Sequence, residues 1–325
     1  MKAEPVRNFT VVTLGVVGAV FLVASLISLS NSNQWFVRVL DFLREPWGWL
    51  ALLLGVVAVL VKRPAGYAVG ALFVATVLIQ LVRIWPYVPL ANDQIRLSHK
   101  TGAGACFTAL ALNVKQSNDQ YAPVASLIRE QEPDLLLLME TDGAWKSALS
   151  DELARFAHVS AMPLDNTYGM IFATRLELEQ ARMVANTSAD TPTMYATLGL
   201  PNGRRFEFVG LHPRPPRPGQ DTDTRDANIA RAGRVTPNRL ADVLVMGDFN
   251  DVPWSSTTSR FRHEGGYRDP RIGRGTFPTF PAGHLWLGWP LDQILVKNAM
   301  EVQSFSVLRD VGADHRPMRA RLCLG

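Results

Sequence analysis

Eight polar residues of this chain stand where largely apolar runs stop or start. Val243–Met246 breaks at Gly247 and then presents Asp248 and Asn250. Leu135–Met139 stops at Glu140, Cys106–Leu112 at Asn113, and Phe206–Leu211 at His212. Gln293–Val296 is preceded by Asp292, and Met318–Leu324 by Asp314 and His315 a few residues earlier. Short apolar runs of this kind read as buried strands. Strands that leave a sheet edge in one direction and enter it in the other would place all these groups on one rim, where α/β proteins keep their ligands. Asp, Glu and Asn are hard oxygen ligands, and with no cysteine cluster they favour Mg2+ or Mn2+ over zinc. Histidines beside such an ion suit proton transfer and the stabilisation of developing negative charge. Taken singly, each residue reads equally as a capped or solvated strand end, and Gly247-Asp248-Phe249-Asn250 is also a turn sequence.

The elements that must position these groups follow from periodicity. Residues 121–130, 144–156, 223–234 and 255–263 have helical spacing, and the runs at 169–174, 193–200 and 302–308 add further strands. The strand–helix–strand–helix order from residue 105, with continuous apolar strands, predicts an α/β domain over 105–325. Residues 84–104, with two prolines and several polar residues, read as a linker.

Residues 1–83 are a different kind of segment. Phe9–Leu29, Trp47–Val61 and Ala65–Val82 carry no charge over 21, 15 and 18 residues. They predict three transmembrane helices (about 9–29, 47–61 and 65–82), with a re-entrant hairpin as the alternative for the shorter pair. The first run is long for a signal peptide and is followed by further apolar segments. Trp35, Trp47, Trp49, Trp85 and Tyr87 cluster at the span ends, as interfacial aromatics do. Lys2, Arg7, Lys62 and Arg63 then share one side, which places the N-terminus in the cytoplasm and the domain outside it, on a multi-pass protein of the cytoplasmic (inner) membrane. The net charge of +4 lies within these 83 residues, and the remainder is balanced. The basic pI therefore reports membrane topology and not a nucleic-acid surface.

The ordered set Asn113, Asp134-Leu-Leu-Leu-Leu-Met-Glu140, Gly210-Leu-His212, Gly247-Asp-Phe-Asn250, Leu291-Asp-Gln-Ile-Leu295 and Ala313-Asp-His-Arg-Pro317 resembles the endonuclease/exonuclease/phosphatase superfamily, which includes deoxyribonuclease I. It departs at Ala313, where the family usually has Ser. The N-terminal spans and His212-Pro-Arg-Pro-Pro216 resemble a membrane-anchored bacterial branch. The resemblance implies a four-layer α/β/β/α sandwich of two mixed sheets. It also implies that Glu140, Asn113 and Asp314 hold Mg2+ (or Mn2+) against a phosphate oxygen. Asp248 would activate water, and Asn250 and His212 would contact the phosphate. Asp292 would fix and charge His315, which stabilises the transition state.

Substrate choice has fewer signals. Tyr168, before a strand, is placed either to reach the phosphate or in the core. Eight arginines between 204 and 239 read mainly as a solvated, ion-paired face. Arg214 and Arg217 are set apart by their closeness to His212 in a Pro-rich loop, where a guanidinium suits a second phosphate or a lipid head group. Trp286 and Trp289 precede Asp292 and suit a membrane interface or base stacking as well as core packing. Cys106 and Cys323 become neighbours if the first and last strands pair antiparallel with Asn113 opposite His315. The expectation is a membrane-anchored phosphodiesterase on a lipid or lipid-linked head group. An extracytoplasmic nuclease and a non-catalytic binding or scaffold protein are the alternatives, and no motif points to a protein partner.

Overall fold

The computed structural model describes residues 3–61, 63–98, 105–216, 218–234, 236, 238–284 and 287–325. The chain divides into two compact units, Met1–Val88 with Pro216–Thr222, and Pro89–Pro215 with Asp223–Gly325.

The first unit contains α1 (Ala3–Ile27), α2 (Trp35–Phe42), α3 (Arg44–Leu60) and α4 (Pro64–Ile84). Among the described residues, Val6–Ile27 and Pro64–Tyr87 are the two single helices long and apolar enough to cross a membrane. The expectation of three plain spans is corrected: the middle one is a bent pair, α2 and α3, meeting at 69°. α3 has 17 residues, about 26 Å of helix at 1.5 Å per residue. The bend has a chemical cause, because a straight helix here would carry Arg38, Asp41 and Arg44 into an apolar span. Instead the three are buried together. Asp41 accepts from Arg38 Nη1 at 3.2 Å and Arg44 Nη2 at 2.7 Å. Arg44 also donates to Gln80 Oε1 and to Ser28 O, each at 3.0 Å. Gln80 Nε2 donates to Ser25 Oγ at 2.7 Å, which joins the ends of α4 and α1. At the opposite end Arg7 donates to Val61 O and Arg63 to Asn8 Oδ1, each at 2.6 Å. α1 and α4 therefore run parallel, with α3 antiparallel to both. The separate segment of this unit is fastened by Thr222 N–H to Asn33 O at 2.9 Å.

Among the described residues the second unit contains twelve strands: β1 (Cys106–Asn113), β2 (Leu135–Met139), β3 (His158–Met162), β4 (Met170–Thr174), β5 (Glu177–Ala185), β6 (Pro192–Gly199), β7 (Arg205–Leu211), β8 (Val243–Asp248), β9 (Tyr267–Arg268), β10 (Asp292–Lys297), β11 (Glu301–Val307) and β12 (Met318–Cys323). They make two six-stranded sheets, ordered β11-β12-β1-β2-β4-β3 and β5-β6-β7-β8-β10-β9. Both sheets are mixed, since β1/β2 and β7/β8 are parallel and the other pairs antiparallel. One core lies between the sheets, with Phe107, Leu137, Met139 and Phe172 meeting Met194, Phe208, Met246 and Ile294. The alternate residues Leu110, Leu112, Leu136 and Leu138 pack under α5 (Tyr121–Gln131), α6 (Gly143–Ala148) and α7 (Ser150–Leu153). Val209, Val243, Val245 and Leu295 pack under α8 (Asp223–Arg234) and α9 (Ser256–Gly265). The result is an α/β sandwich whose central strands are covered on both faces, which is why they read as unbroken apolar runs.

Two differences from the sequence pattern have local causes. The helix expected over 144–156 is two short helices that meet at Leu149. Strands β3 and β5 are not visible in the sequence, because both are half-exposed and β5 shifts register between Leu178 and Gln180. A bulge of that kind erases the period of two. Residues 93–98 lie along this unit. Gln94 Oε1 accepts from Asp269 N–H at 2.8 Å, Ile95 is buried, and Ser98 N–H donates to Val302 O at 2.8 Å.

β1 and β12 pair with Cys106 opposite Cys323, one residue beyond the register assumed from sequence, and the two cysteines form a disulfide. It joins strands 217 residues apart in sequence, so it constrains the unfolded chain strongly. Replacing both cysteines by alanine is expected to cost about 2–5 kcal/mol. The measurement is the urea midpoint of the full chain with and without the pair, and an unchanged midpoint would contradict it.

Candidate active site

The two parallel strand pairs deliver their C-terminal ends to one rim. β1 ends at Asn113 beside Met139, and Glu140 follows at φ 60°. β8 ends at Asp248, directly opposite Asp292 at the start of antiparallel β10. His212 follows β7, and Asp314 and His315 precede β12. Gly247 is required at its position: φ is 146°, and a Cβ there would lie 2.0 Å from Leu211 O. Only glycine lets β8 pass that close to β7.

The side chains converge on Asp248, which is 1% exposed. Asn113 Nδ2 donates to Asp248 Oδ2 at 3.1 Å and to Glu140 Oε1 at 2.8 Å. Its Oδ1 accepts from Lys115 N–H at 3.0 Å, which sets the orientation of the amide. His212 Nε2 and His315 Nε2 each lie 3.6 Å from Asp248 Oδ2. Asp248 Oδ1 accepts from Asn250 N–H at 2.8 Å, and Asn250 Nδ2 donates to Pro213 O at 2.9 Å. Glu140 Oε2 accepts from Gln116 N–H at 3.3 Å.

His315 Nδ1 meets Asp292 Oδ2 at 2.7 Å. Burial opposes a charge on this imidazole. The charges of Asp292 and Asp248, together with the Asp292 hydrogen bond, outweigh it and push the pKa up to about 10. The two carboxylates thus favour the charged form of the ring, whose Nε2 faces Asp248 Oδ2. His212 Nδ1 and Asp292 Oδ1 are buried with no hydrogen-bond partner among the described residues.

Asp248, Asp292 and His315 bring ligand atoms within 4.8 Å of one another and could hold a metal. His315 Nδ1 is already bonded to Asp292, so this imidazole is poorly placed to serve as a ligand together with Asp292. Glu140 and Asp314 keep 20% and 33% of their side chains exposed, as ligands open to an ion and a substrate must be. Asp314 Oδ2 meets Lys115 Nζ at 3.4 Å. Glu140, Asp248 and Asp292 place three carboxylates on a largely buried rim against one imidazolium. A divalent cation on hard oxygen ligands fits that excess negative charge.

The remaining expected residues divide. The Tyr168 ring lies 5.4 Å from that of His212, and the Arg214 guanidinium sits 5.3 Å from the Tyr168 centroid. Arg214 is ion-paired with Asp190. Trp289 stacks on Phe280 at 6.2 Å, and Phe280 lies 4.8 Å from His315. Arg217 and Trp286 lie outside the described residues. The arginine-rich segment is largely ion-paired, as its composition implies: Arg204 with Asp242, Arg205 with Glu179, Arg225 with Asp226 and Asp251, and Arg234 with Glu264.

Sequence reasoning passes over Phe280, Lys115 and the pair behind Asp292. Lys115 had a signal in its nearness to Asn113; the others had none. In that pair Arg271 and Asp269 are fully buried, 2.8 Å apart. Arg271 also donates to Asp292 O at 3.3 Å and to Gln293 Oε1 at 2.9 Å, which fixes the start of β10.

Comparison with known proteins gives a consistent result. A profile described as "Endonuclease/Exonuclease/phosphatase family" matches residues 110–315. No curated protein matches the chain. Solved structures share the fold. An endonuclease/exonuclease/phosphatase from Beutenbergia cavernae is similar at TM-score 0.55 and 17% identity, over 68% of this chain and 72% of that one. D. rerio TDP2 complexed with single-strand DNA product is similar at 0.55 and 12%, over 67% and 98%. A mannosyl-6-phosphatase of Bacteroides thetaiotaomicron is similar at 0.53 and 17%, over 67% and 100%.

Replacing Arg271 by Met leaves Asp269 charged and unpaired in the core. The expected loss is about 3–5 kcal/mol, read as a lowered urea midpoint. A change of under about 1 kcal/mol would show that the pair carries little of the rim.

Proposed function

The chain belongs to the endonuclease/exonuclease/phosphatase family, and from that premise we propose that it is a membrane-anchored, Mg2+- or Mn2+-dependent phosphodiesterase. Its favoured substrate is a lipid or lipid-linked head group outside the cytoplasm. The observation that carries the catalytic part is the crowding on one carboxylate: Asp248 Oδ2 has Asn113 Nδ2 at 3.1 Å and two imidazole nitrogens at 3.6 Å.

Glu140, with Asn113 and Asp314 nearby, would hold the ion, which would supply charge withdrawal from a non-bridging phosphate oxygen. Asn113 keeps Glu140 and Asp248 in place through its amide nitrogen. Asp248, fixed by the Asn250 N–H, orients the attacking water and takes its proton. A new P–O bond forms from that water as the bond to the leaving oxygen breaks in line. His315, held as a cation by Asp292, faces the charge that develops on phosphorus oxygens. Asn250 spends one amide N–H on Pro213 O and keeps a second for the phosphate. His212 contacts the phosphate and assists the leaving oxygen.

Four features support the anchored, extracytoplasmic setting. Val6, Phe9, Val12, Val16 and Val20 line α1 and are more than half exposed, as are Leu53, Leu60 and Val82. Apolar surface of that kind suits lipid. α1 and α4 are parallel, so counting α2–α3 as a broken span gives an odd number of crossings, which supports a domain on the side away from Lys2 and Arg7. A disulfide belongs to an oxidising compartment. Trp289 and the half-exposed Leu287 give the His315 side an apolar lip suited to an interface.

A nuclease is the second reading, favoured by the likeness to TDP2 bound to DNA product. The balanced charge of the domain weighs against it, because DNA affinity needs phosphate neutralisation.

Full-length protein in detergent, with Mg2+ or Mn2+, is expected to hydrolyse phospholipid or chromogenic phosphodiesters in preference to plasmid DNA. Asp248→Ala or His315→Ala is expected to lower turnover by at least about 100-fold; near-normal turnover would overturn the assigned roles. No hydrolysis of any phosphodiester would favour a non-catalytic binding protein. A reporter active only in the cytoplasm, fused after Arg96, is expected to be silent, and activity there would reverse the topology.

A further inference from the structure

The loop after His212 carries a second recognition element. Arg214 stands between Pro213 and Pro215, so its backbone is stiff. Asn250 Nδ2 fastens the loop through Pro213 O at 2.9 Å. The Arg214 guanidinium lies over the Tyr168 ring, which itself leans on His212. Its position is therefore set by residues of the rim. One edge of the fork is engaged, since Nη2 donates to Asp190 and Nε donates to Thr191 Oγ1 at 3.3 Å. Asp190 belongs to the same cluster, because its backbone O accepts from Asn166 Nδ2 at 3.0 Å, two residues before Tyr168.

The pair is open to water, with side chains 38% and 49% exposed. Such a pair is screened and weak. Its geometry is nevertheless that of ligand recognition: a planar, permanently charged fork, stacked on an aromatic face and presented to an oxyanion. A guanidinium fork binds carboxylate and phosphate alike, so an incoming oxyanion competes with Asp190 for it.

Resting on the phosphodiesterase reading above, we infer that Arg214 binds a second anionic group of the substrate, a few bonds from the scissile phosphate. Asp190 is the built-in anion that this group displaces. The site thereby selects esters carrying a second oxyanion, phosphate or carboxylate, over esters with a neutral or cationic substituent. Asp190 sets the threshold, because an incoming group must hold Arg214 better than a neighbouring carboxylate does.

A matched pair of chromogenic substrates tests this: 4-nitrophenyl 3-carboxypropyl phosphate and its methyl ester, which differ by one remote charge. The readout is the ratio of kcat/KM for acid over ester, measured within each preparation of full-length protein with Mn2+, so partial unfolding cancels. Asp190→Asn is expected to raise the ratio about tenfold, the size of one charge-assisted hydrogen bond. Arg214→Gln is expected to abolish any preference for the acid, and the double variant to match Arg214→Gln, because Asp190 acts only through Arg214. Turnover of both substrates with a ratio that neither variant moves would overturn the inference and leave the phosphodiesterase reading intact. No turnover of either would overturn both.

Discussion

One buried carboxylate joins the two sheets of the second unit at their common rim. Asp248 ends β8 in one sheet, yet it accepts from Asn113 at the end of β1 in the other. It also lies against His212 after β7 and His315 before β12. An ion removed from water is tolerated only when donors and opposite charge surround it. Each neighbour must therefore be in place for the charge to persist, and the strands that carry those neighbours are held in register by the same requirement. The same requirement restricts the geometry of the rim.

The topology explains where those neighbours come from. Parallel strands β1/β2 and β7/β8 release Asn113, Glu140, His212 and Asp248 as they leave the sheets. Antiparallel β10 and β12 enter at the same rim and bring Asp292 and His315. A mixed sheet is what allows both leaving and entering strands to supply one site. Behind the rim, a second layer of buried polar groups holds the backbone: Arg271 at Asp292 O and Arg225 at Asn250 O.

The helical unit follows the same physical logic with a different outcome. Arg38, Asp41 and Arg44 cannot enter an apolar span singly, so the helix bends and the three bind one another, Gln80 and the carbonyls that follow α1. In the two-sheet unit, charges that cannot be left alone gather at one rim. In the helical unit they create a fixed corner. In both units these polar groups draw partners from elements distant in sequence as well as from near neighbours.

Much of this was legible in the chain itself. Leu135–Met139 and Val243–Met246 are continuous apolar runs because both faces of those strands are covered, and a polar residue at the end of such a run can only lie at the rim. That reasoning reached Asn113, Glu140, His212, Asp248, Asn250, Asp292 and His315 one at a time. It did not reach β3 or β5, whose half-exposed and bulged patterns carry no clean period, or the bent α2–α3 pair. Nor could it see that Asn113 presents its nitrogen to two carboxylates, that Phe280 backs His315, or that Asp190 faces Arg214. The sequence by itself determined the residue types at the strand ends and the apolar character of the first 83 residues, since both are properties of local composition. Only the tertiary structure decided which groups touch and which way each is turned, because hydrogen bonds and ion pairs depend on distances between segments that no local pattern encodes.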